Sequence, residues 1–176
     1  KIELSSCNIP DVERAARCGA LDVPEDPQKP DGRHLKINIV IIPASSGHAL
    51  QDPIVPLMGG PGEDAISAAA IFAKQFAALL KDRDLLLIDQ RGTGTSNALR
   101  CELYSSNDPG ISLRDLFPVE AVNRCRDQLK THPDLTQYSY ANFAKDIEQI
   151  RLALGYQSLN LTAGSYGTRA AQVFIR

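Results

Sequence analysis

The sequence has no tryptophan and a single methionine, and Phe and Tyr together supply only 6% of its 176 residues. Charges of the two signs nearly cancel, with 19 Lys and Arg against 21 Asp and Glu, which gives a formal net charge of −2. This balance provides no basic surface for nucleic acid or for an anionic membrane. No apolar run approaches the roughly 18 residues that a membrane-spanning helix needs. We therefore expect neither a nucleic-acid partner nor a membrane.

The composition is otherwise that of a globular protein. Hydrophobic residues make up 43% of the chain and charged residues 23%, and 176 residues are enough for one domain with a core. The chain begins at Lys1 with neither a methionine nor a signal-like segment, which is typical of a mature or trimmed product.

Four cysteines fall as two local pairs, Cys7 with Cys18 and Cys101 with Cys125. Neither pair has a metal-ligand spacing, and no histidine lies near them in the sequence. Of the three possible connectivities, pairing neighbours is the most economical, and each ring would stabilise the fold by about 3 kcal/mol. Disulfides indicate an exported protein, secreted or periplasmic. The alternative is four buried free thiols in a cytosolic protein.

Apolar patterning predicts an α/β domain with a mostly parallel sheet. Two strands separated by turn residues form an N-terminal antiparallel hairpin, and three further strands alternate with helices, which implies right-handed parallel crossovers. An aspartate is the candidate N-cap of the first helix and a glycine the stop of the last. The predicted strands span residues 18–24, 35–43, 52–58, 84–89 and 159–162, and the predicted helices span 64–80, 119–130 and 140–154. The N-cap is Asp64, the glycine stop is Gly155, and a turn is predicted at 108–110.

Three glycine-rich loops follow the three later strands, at residues 59–62, 89–96 and 164–167. In parallel sheets, functional residues gather at the carboxyl ends of the strands. The joint placement of these loops predicts a site there.

Ser165 is the candidate nucleophile. It lies in Ala163-Gly164-Ser165-Tyr166-Gly167, between a predicted strand and a predicted helix, which is the pattern of a nucleophile elbow with alanine at the first glycine position. Such a turn presents the hydroxyl to a base and places the amide N–H of Tyr166 where an oxyanion develops. The alternative is an ordinary Gly-Ser turn in a loop.

Gly59 and Gly60 open the first loop, Gly59-Gly60-Pro61-Gly62, and are candidates for the second half of an oxyanion hole. Glycines let backbone N–H groups approach a substrate oxygen, and one such donor is worth on the order of 3 kcal/mol in a transition state. The alternative is a tight turn that caps the next helix.

Asp89 and Arg91 in the second loop are expected to be structural, holding neighbouring loops by charge-assisted hydrogen bonds. A phosphate-binding loop is the rival interpretation, but the segment lacks the Lys-Ser/Thr of a P-loop and the spacing of a dinucleotide fingerprint. We expect no cofactor and no metal. The three histidines, His34, His48 and His132, all precede Ser165 and are expected at the surface.

The three loops in this order resemble the α/β-hydrolase peptidases of the proline iminopeptidase and tripeptidyl aminopeptidase group, and the resemblance covers nearly the whole chain. The segment Asp89-Gln90-Arg91-Gly92 is fairly specific for that group, and the paired cysteines look like its exported branch. Met58 stands where the group often has His or a small residue.

The resemblance implies an α/β-hydrolase fold in which the acid and the histidine of the triad follow the serine. Residues 1–176 are then the N-terminal part of one catalytic domain, and the acid, the histidine and the cap come from a C-terminal part of the same protein. The implied function is a serine exopeptidase that releases residues or short peptides from peptide N-termini. The alternatives are an esterase, or another acyl hydrolase, and a non-catalytic hydrolase-like binding module.

Overall fold

A computed structural model describes residues 2–101, 103, 115, 117–130 and 133–176 of the chain. The turn predicted at residues 108–110 and the surface position predicted for His132 lie outside the described residues.

Within the described residues, six strands form one mixed sheet in the order β1-β2-β3-β5-β4-β6. The first three strands and β5 pair antiparallel, whereas β5, β4 and β6 run parallel to one another. The predicted fold class and its N-terminal hairpin are confirmed. Among the described strands, three pairs are antiparallel and two are parallel, so the sheet is mixed rather than mostly parallel. The strands are β1 (Ser5–Cys7), β2 (Ala16–Pro24), β3 (His34–Ile42), β4 (Ile54–Leu57), β5 (Leu85–Ile88) and β6 (Asn160–Ala163).

The α-helices of the described residues are α1 (Ala69–Gln75), α2 (Val119–Leu129), α3 (Tyr140–Leu154) and α4 (Tyr166–Ile175). The α3 bounds match the prediction because both end signals act locally. Ser139 Oγ accepts the amide N–H of Asn142, and Gly155 ends the helix in a left-handed conformation with φ 81°. No helix among the described residues is both long and apolar enough to cross a membrane.

The helix predicted over residues 64–80 is wrong in its length. Only α1 and a short 3₁₀ helix at Leu79–Lys81 form there. Asp64 caps a turn instead, by accepting the amide N–H of Ser67 at 2.8 Å. The amide N–H of Ile66 donates to the Asp89 carboxylate at 3.0 Å, so a contact from the next loop holds this segment out of the helix.

The core lies on both faces of the sheet because the side chains of its buried strands alternate. One face packs against α3 and α4, and the opposite face packs against α1 and the segments around it. The domain therefore has three layers. The face toward α3 and α4 includes Ile37, Ile39, Ile41, Val55, Leu57, Leu86 and Ile88, and the face toward α1 includes Val40, Ile42, Ile54, Leu85 and Leu87.

Both predicted disulfides are present, Cys7–Cys18 and Cys101–Cys125, and no cysteine is free. The first joins β1 to β2, and β1 is a strand that the sequence analysis does not predict. The second joins residue 101 to α2.

We predict that the denatured, unreduced protein contains no free thiol in a colorimetric thiol assay. Replacing Cys7 and Cys18 together by alanine should lower the free energy of unfolding by about 3 kcal/mol, because the unfolded chain loses a constraint. Four titratable thiols in the untreated protein would contradict the pairing.

His34, at the start of β3, has acceptors at both ring nitrogens. Nδ1 faces the Asp22 carboxylate and Nε2 faces the backbone carbonyl of Pro30 at 2.8 Å. Since a carboxylate and a carbonyl only accept hydrogen bonds, the two acceptors favour the imidazolium form of the ring, in which both nitrogens carry hydrogens. The Pro30 carbonyl, together with the hydrogen bond to Asp22, raises the pKa of His34 above its ordinary value.

We predict that this pair stabilises the hairpin at low pH. The folded pKa lies above the unfolded value of about 6.5, so the contribution is complete below that pH and is lost as pH rises through the folded pKa. His34→Gln should therefore lower the urea midpoint more at acidic than at alkaline pH. The control is His48→Gln, at an exposed ring without hydrogen bonds among the described residues. If His34→Gln lowered the urea midpoint equally at all pH values, the prediction would be contradicted.

Candidate active site

The parallel strands bring the glycine-rich loops to one edge of the sheet. Strands β4, β5 and β6 end at Leu57, Ile88 and Ala163, and each loop begins directly after its strand. The first and third loops touch, since the position that a β-carbon on Gly59 would occupy lies 3.3 Å from Cβ of Ser165. The convergence predicted from the sequence is present.

Ser165 adopts a backbone conformation that non-glycine residues rarely use, with φ 48° and ψ −122°. It lies between the end of β6 and the first residue of α4, and its side chain is exposed. Such a conformation is strained, and strained residues cluster at functional sites. The strand, the turn and the helix are those that the sequence pattern predicts around Ser165.

Gly167 allows this turn to sit against β4. A β-carbon at Gly167 would lie 2.2 Å from the carbonyl oxygen of Leu57 and 2.7 Å from that of Met58. Any side chain at this position would push the first turn of α4 off the end of β4. The requirement for a glycine two residues after Ser165 is therefore steric.

Backbone donors without a protein partner occur in the two loops that meet at Ser165. Within the described part of the chain, the amide N–H groups of Tyr166, Gly59 and Gly60 donate to no protein acceptor. The ring of Tyr166 stacks on that of Tyr140 with centroids 4.7 Å apart, which fixes the residue that follows the serine. These groups have the chemistry that an oxyanion hole needs, which is unpaired N–H donors beside the nucleophile.

A pocket of about 370 Å³ opens at Ser165. Its walls combine apolar side chains, among them Leu57 of β4, Met58 directly after that strand and Phe72 of α1, with polar ones such as Gln75 and Thr162. Glu63 is the only charged residue among the described lining residues. The sequence interpretation did not single out Glu63, although its place directly after the first glycine-rich loop was a signal for it.

Asp89 links the second glycine-rich loop to the segment that follows the first. Its carboxylate accepts the amide N–H groups of Ile66 at 3.0 Å and Thr95 at 3.4 Å. Burial raises the pKa of Asp89, and the hydrogen bond from Ile66 opposes that rise.

Arg91 is almost completely buried and forms a two-pronged pair with Asp146 of α3. Nε and Nη2 each donate to a carboxylate oxygen at 2.7 Å. Nη1 donates to the backbone carbonyls of Glu25 at 2.8 Å and Gln137 at 3.2 Å. Burial raises the pKa of the Asp146 carboxyl, and the guanidinium opposes this rise. Arg91 thus joins the second loop to α3 and to the end of β2, contacts suited to the structural role predicted for it.

The described histidines lie away from this pocket. His34 and His48 are both exposed, as predicted, and neither lines the pocket at Ser165. Among the described residues, no group of three or more His, Cys, Asp or Glu side chains is arranged to hold a metal ion.

The sequence of the chain matches a known protein family. The α/β hydrolase fold family matches residues 52–174, which include the three glycine-rich loops and Ser165. The chain belongs to the α/β hydrolase fold family. The matched segment contains strands β4 to β6, the loops that follow them and the strained serine.

Three relatives of the chain are hydrolases by name. The serine protease Hip1 of Mycobacterium tuberculosis is 31% identical over 177 residues, covering 93% of this chain and 34% of the relative. Carboxylesterase B of the same species is 32% identical over 158 residues, covering 80% and 29%. The tripeptidyl aminopeptidase of Streptomyces lividans is 27% identical over 186 residues, covering 95% and 33%.

These relatives support a serine hydrolase, and the presence of a tripeptidyl aminopeptidase and a serine protease among them confirms the predicted resemblance. The chain spans about a third of the length of the curated relatives it matches.

We predict that Arg91→Met lowers the free energy of unfolding by about 3–5 kcal/mol, because it leaves the Asp146 carboxylate buried without a partner. Chemical denaturation followed by circular dichroism measures the loss. Arg83→Met is the matched control. Arg83 pairs with Asp52 at 3.0 Å, but both side chains are about 30% exposed, so the expected loss is at most about 1 kcal/mol. Equal losses in the two variants would contradict the assignment.

Proposed function

We propose that this chain carries the nucleophile and the oxyanion hole of a serine exopeptidase that releases residues or short peptides from peptide N-termini. The observation that carries the proposal is Ser165, held in a strained turn beside Gly59 at the mouth of a pocket. A serine in that conformation presents its hydroxyl to a bound substrate without a backbone group in front of it.

In the proposed reaction, Ser165 Oγ attacks the scissile carbonyl carbon and its proton passes to a base. The base then returns the proton to the leaving amine as the carbon–nitrogen bond breaks, which leaves an acyl-enzyme. A water molecule attacks the acyl-enzyme, releases the N-terminal fragment and restores the serine.

The oxyanion of each tetrahedral intermediate would accept the amide N–H of Tyr166 and one from Gly59 or Gly60. These donors fit the role because they have no protein acceptor within the described residues and because Gly59 lies against Ser165. Backbone donors of this kind strengthen as negative charge develops on the oxygen, so they favour the transition state over the substrate.

The base, its orienting acid and the cap belong, in this proposal, to a C-terminal part of the same protein that follows residue 176. Two observations support this. Neither described histidine lines the pocket, and the relatives are about three times as long as this chain. Residues 1–176 are then the N-terminal part of a single catalytic domain.

Peptides are the proposed substrates, on the strength of the protease and aminopeptidase among the relatives. A secreted or periplasmic location is also proposed, because two disulfides are stable in an oxidising compartment. The rival function is an esterase, which the carboxylesterase relative favours. The same serine and the same backbone donors serve esters as well as amides.

An unmodified peptide and its N-acetylated copy separate these two functions. An exopeptidase that requires a free N-terminus trims the first and spares the second, as mass spectrometry of the products would show. Ester hydrolysis without release of residues from either peptide would favour the esterase.

We predict that Ser165→Ala in the full-length protein lowers kcat for substrate hydrolysis by at least about 1,000-fold while KM changes little, because the covalent step is lost. The exposed Ser158→Ala is the control and should retain wild-type kcat. Full activity in Ser165→Ala would refute the nucleophile assignment.

A further inference from the structure

Glu63 forms no ion pair and no hydrogen bond within the described part of the chain, and its side chain is exposed. Of the described residues that line the pocket at Ser165, it alone is charged. A carboxylate left unpaired at the mouth of an otherwise neutral pocket selects for a cationic group on whatever binds there.

The side chain folds back over the first glycine-rich loop. A β-carbon on Gly60 would lie 3.1 Å from the amide nitrogen of Glu63 and 3.5 Å from its Cγ. A β-carbon on Gly59 would lie 3.2 Å from Oε2 of Glu63 and 3.3 Å from Cβ of Ser165. Both distances start from the same β-carbon position on Gly59, so Oε2 of Glu63 and Cβ of Ser165 are at most about 6.5 Å apart.

A separation within this limit allows the Glu63 carboxylate to contact one particular cation of a peptide substrate. In a substrate cleaved after its first residue, two bonds of about 1.5 Å each join the free ammonium nitrogen to the carbonyl carbon that Ser165 attacks. That ammonium therefore lies within reach of the Glu63 carboxylate. Each additional residue before the scissile bond moves the ammonium roughly 3.3–3.6 Å farther away, so in a tripeptidyl substrate it lies about 7 Å beyond this position.

The carboxylate also has an electrostatic consequence for the reaction. A negative charge beside the backbone donors at Gly59 and Gly60 disfavours the oxyanion when no cation is bound. A substrate ammonium against Glu63 offsets that repulsion. A substrate with a free amino group on its first residue is thereby favoured over the same substrate with a blocked amine.

We propose that Glu63 is a specificity residue that binds the free ammonium of the residue acylated by Ser165, and so favours removal of one residue at a time. The inference rests on the proposed serine exopeptidase function. It concerns the choice of substrate and adds no step to the reaction.

The test compares three p-nitroanilide substrates with the full-length protein, its Glu63→Gln variant and the control Glu13→Gln. The substrates are alanyl, N-acetyl-alanyl and alanyl-alanyl-alanyl p-nitroanilide. Glu63→Gln keeps the shape of the side chain and removes its charge, and Glu13 is an exposed glutamate that does not line the pocket.

We expect Glu63→Gln to lower kcat/KM for the alanyl substrate by 10-fold or more, mainly through KM. The N-acetylated and tripeptidyl substrates should change by less than 2-fold or be cleaved faster. Glu13→Gln should match the wild type on all three. An equal change on all three substrates, or no change on any, would overturn the assignment of Glu63.

Failure of the proposed function gives a different result. If the wild type cleaves a simple p-nitrophenyl ester but none of the three anilides, the serine hydrolase stands and the Glu63 inference is rejected with the peptidase. If neither the ester nor any anilide is cleaved faster by the wild type than by Ser165→Ala, the hydrolase proposal itself fails.

Discussion

The candidate site depends on one close approach between α4 and the end of β4. Gly167 sits so near the carbonyl oxygens of Leu57 and Met58 that no side chain fits between them. This contact holds the first turn of α4 over the strand, and the chain enters that turn through the strained conformation at Ser165. The same contact brings Ser165 against Gly59, because Gly59 follows β4 by two residues. Packing of a helix on a strand thus fixes the position of the candidate nucleophile relative to the candidate oxyanion loop.

The loops around this contact are held by buried charges rather than by apolar packing alone. Asp89 binds the backbone after the first loop, and Arg91 binds Asp146 of α3 and the carbonyls of Glu25 and Gln137. Each of these groups would be costly to bury alone, so they confine the loops to one arrangement. A rigid loop arrangement is what preorganised backbone donors require, because they gain nothing if they must reorient during the reaction.

Local signals in the sequence predicted the elements whose ends are determined locally. Helix α3 ends at Gly155 as predicted, since a left-handed residue stops a helix wherever it occurs. The helix predicted to begin at Asp64 was too long, because the Asp89 carboxylate captures the amide of Ile66 from a distant loop. The sequence likewise predicts a structural role for Arg91 but not its partner Asp146, which is 55 positions away and recognisable only once α3 packs on the sheet. Turn chemistry and periodicity are visible in a sequence, whereas contacts made across the fold are not.

The central claim is that Ser165 is a nucleophile, and covalent labelling tests it without knowledge of the substrate. The full-length protein would be incubated with a fluorophosphonate probe, digested, and mapped by mass spectrometry. The account predicts one phosphonylated residue, Ser165, with labelling that is lost after heat denaturation and absent from Ser165→Ala. A native protein that remains unlabelled, or is labelled at another serine, would contradict the account and favour a hydrolase-like fold used for binding.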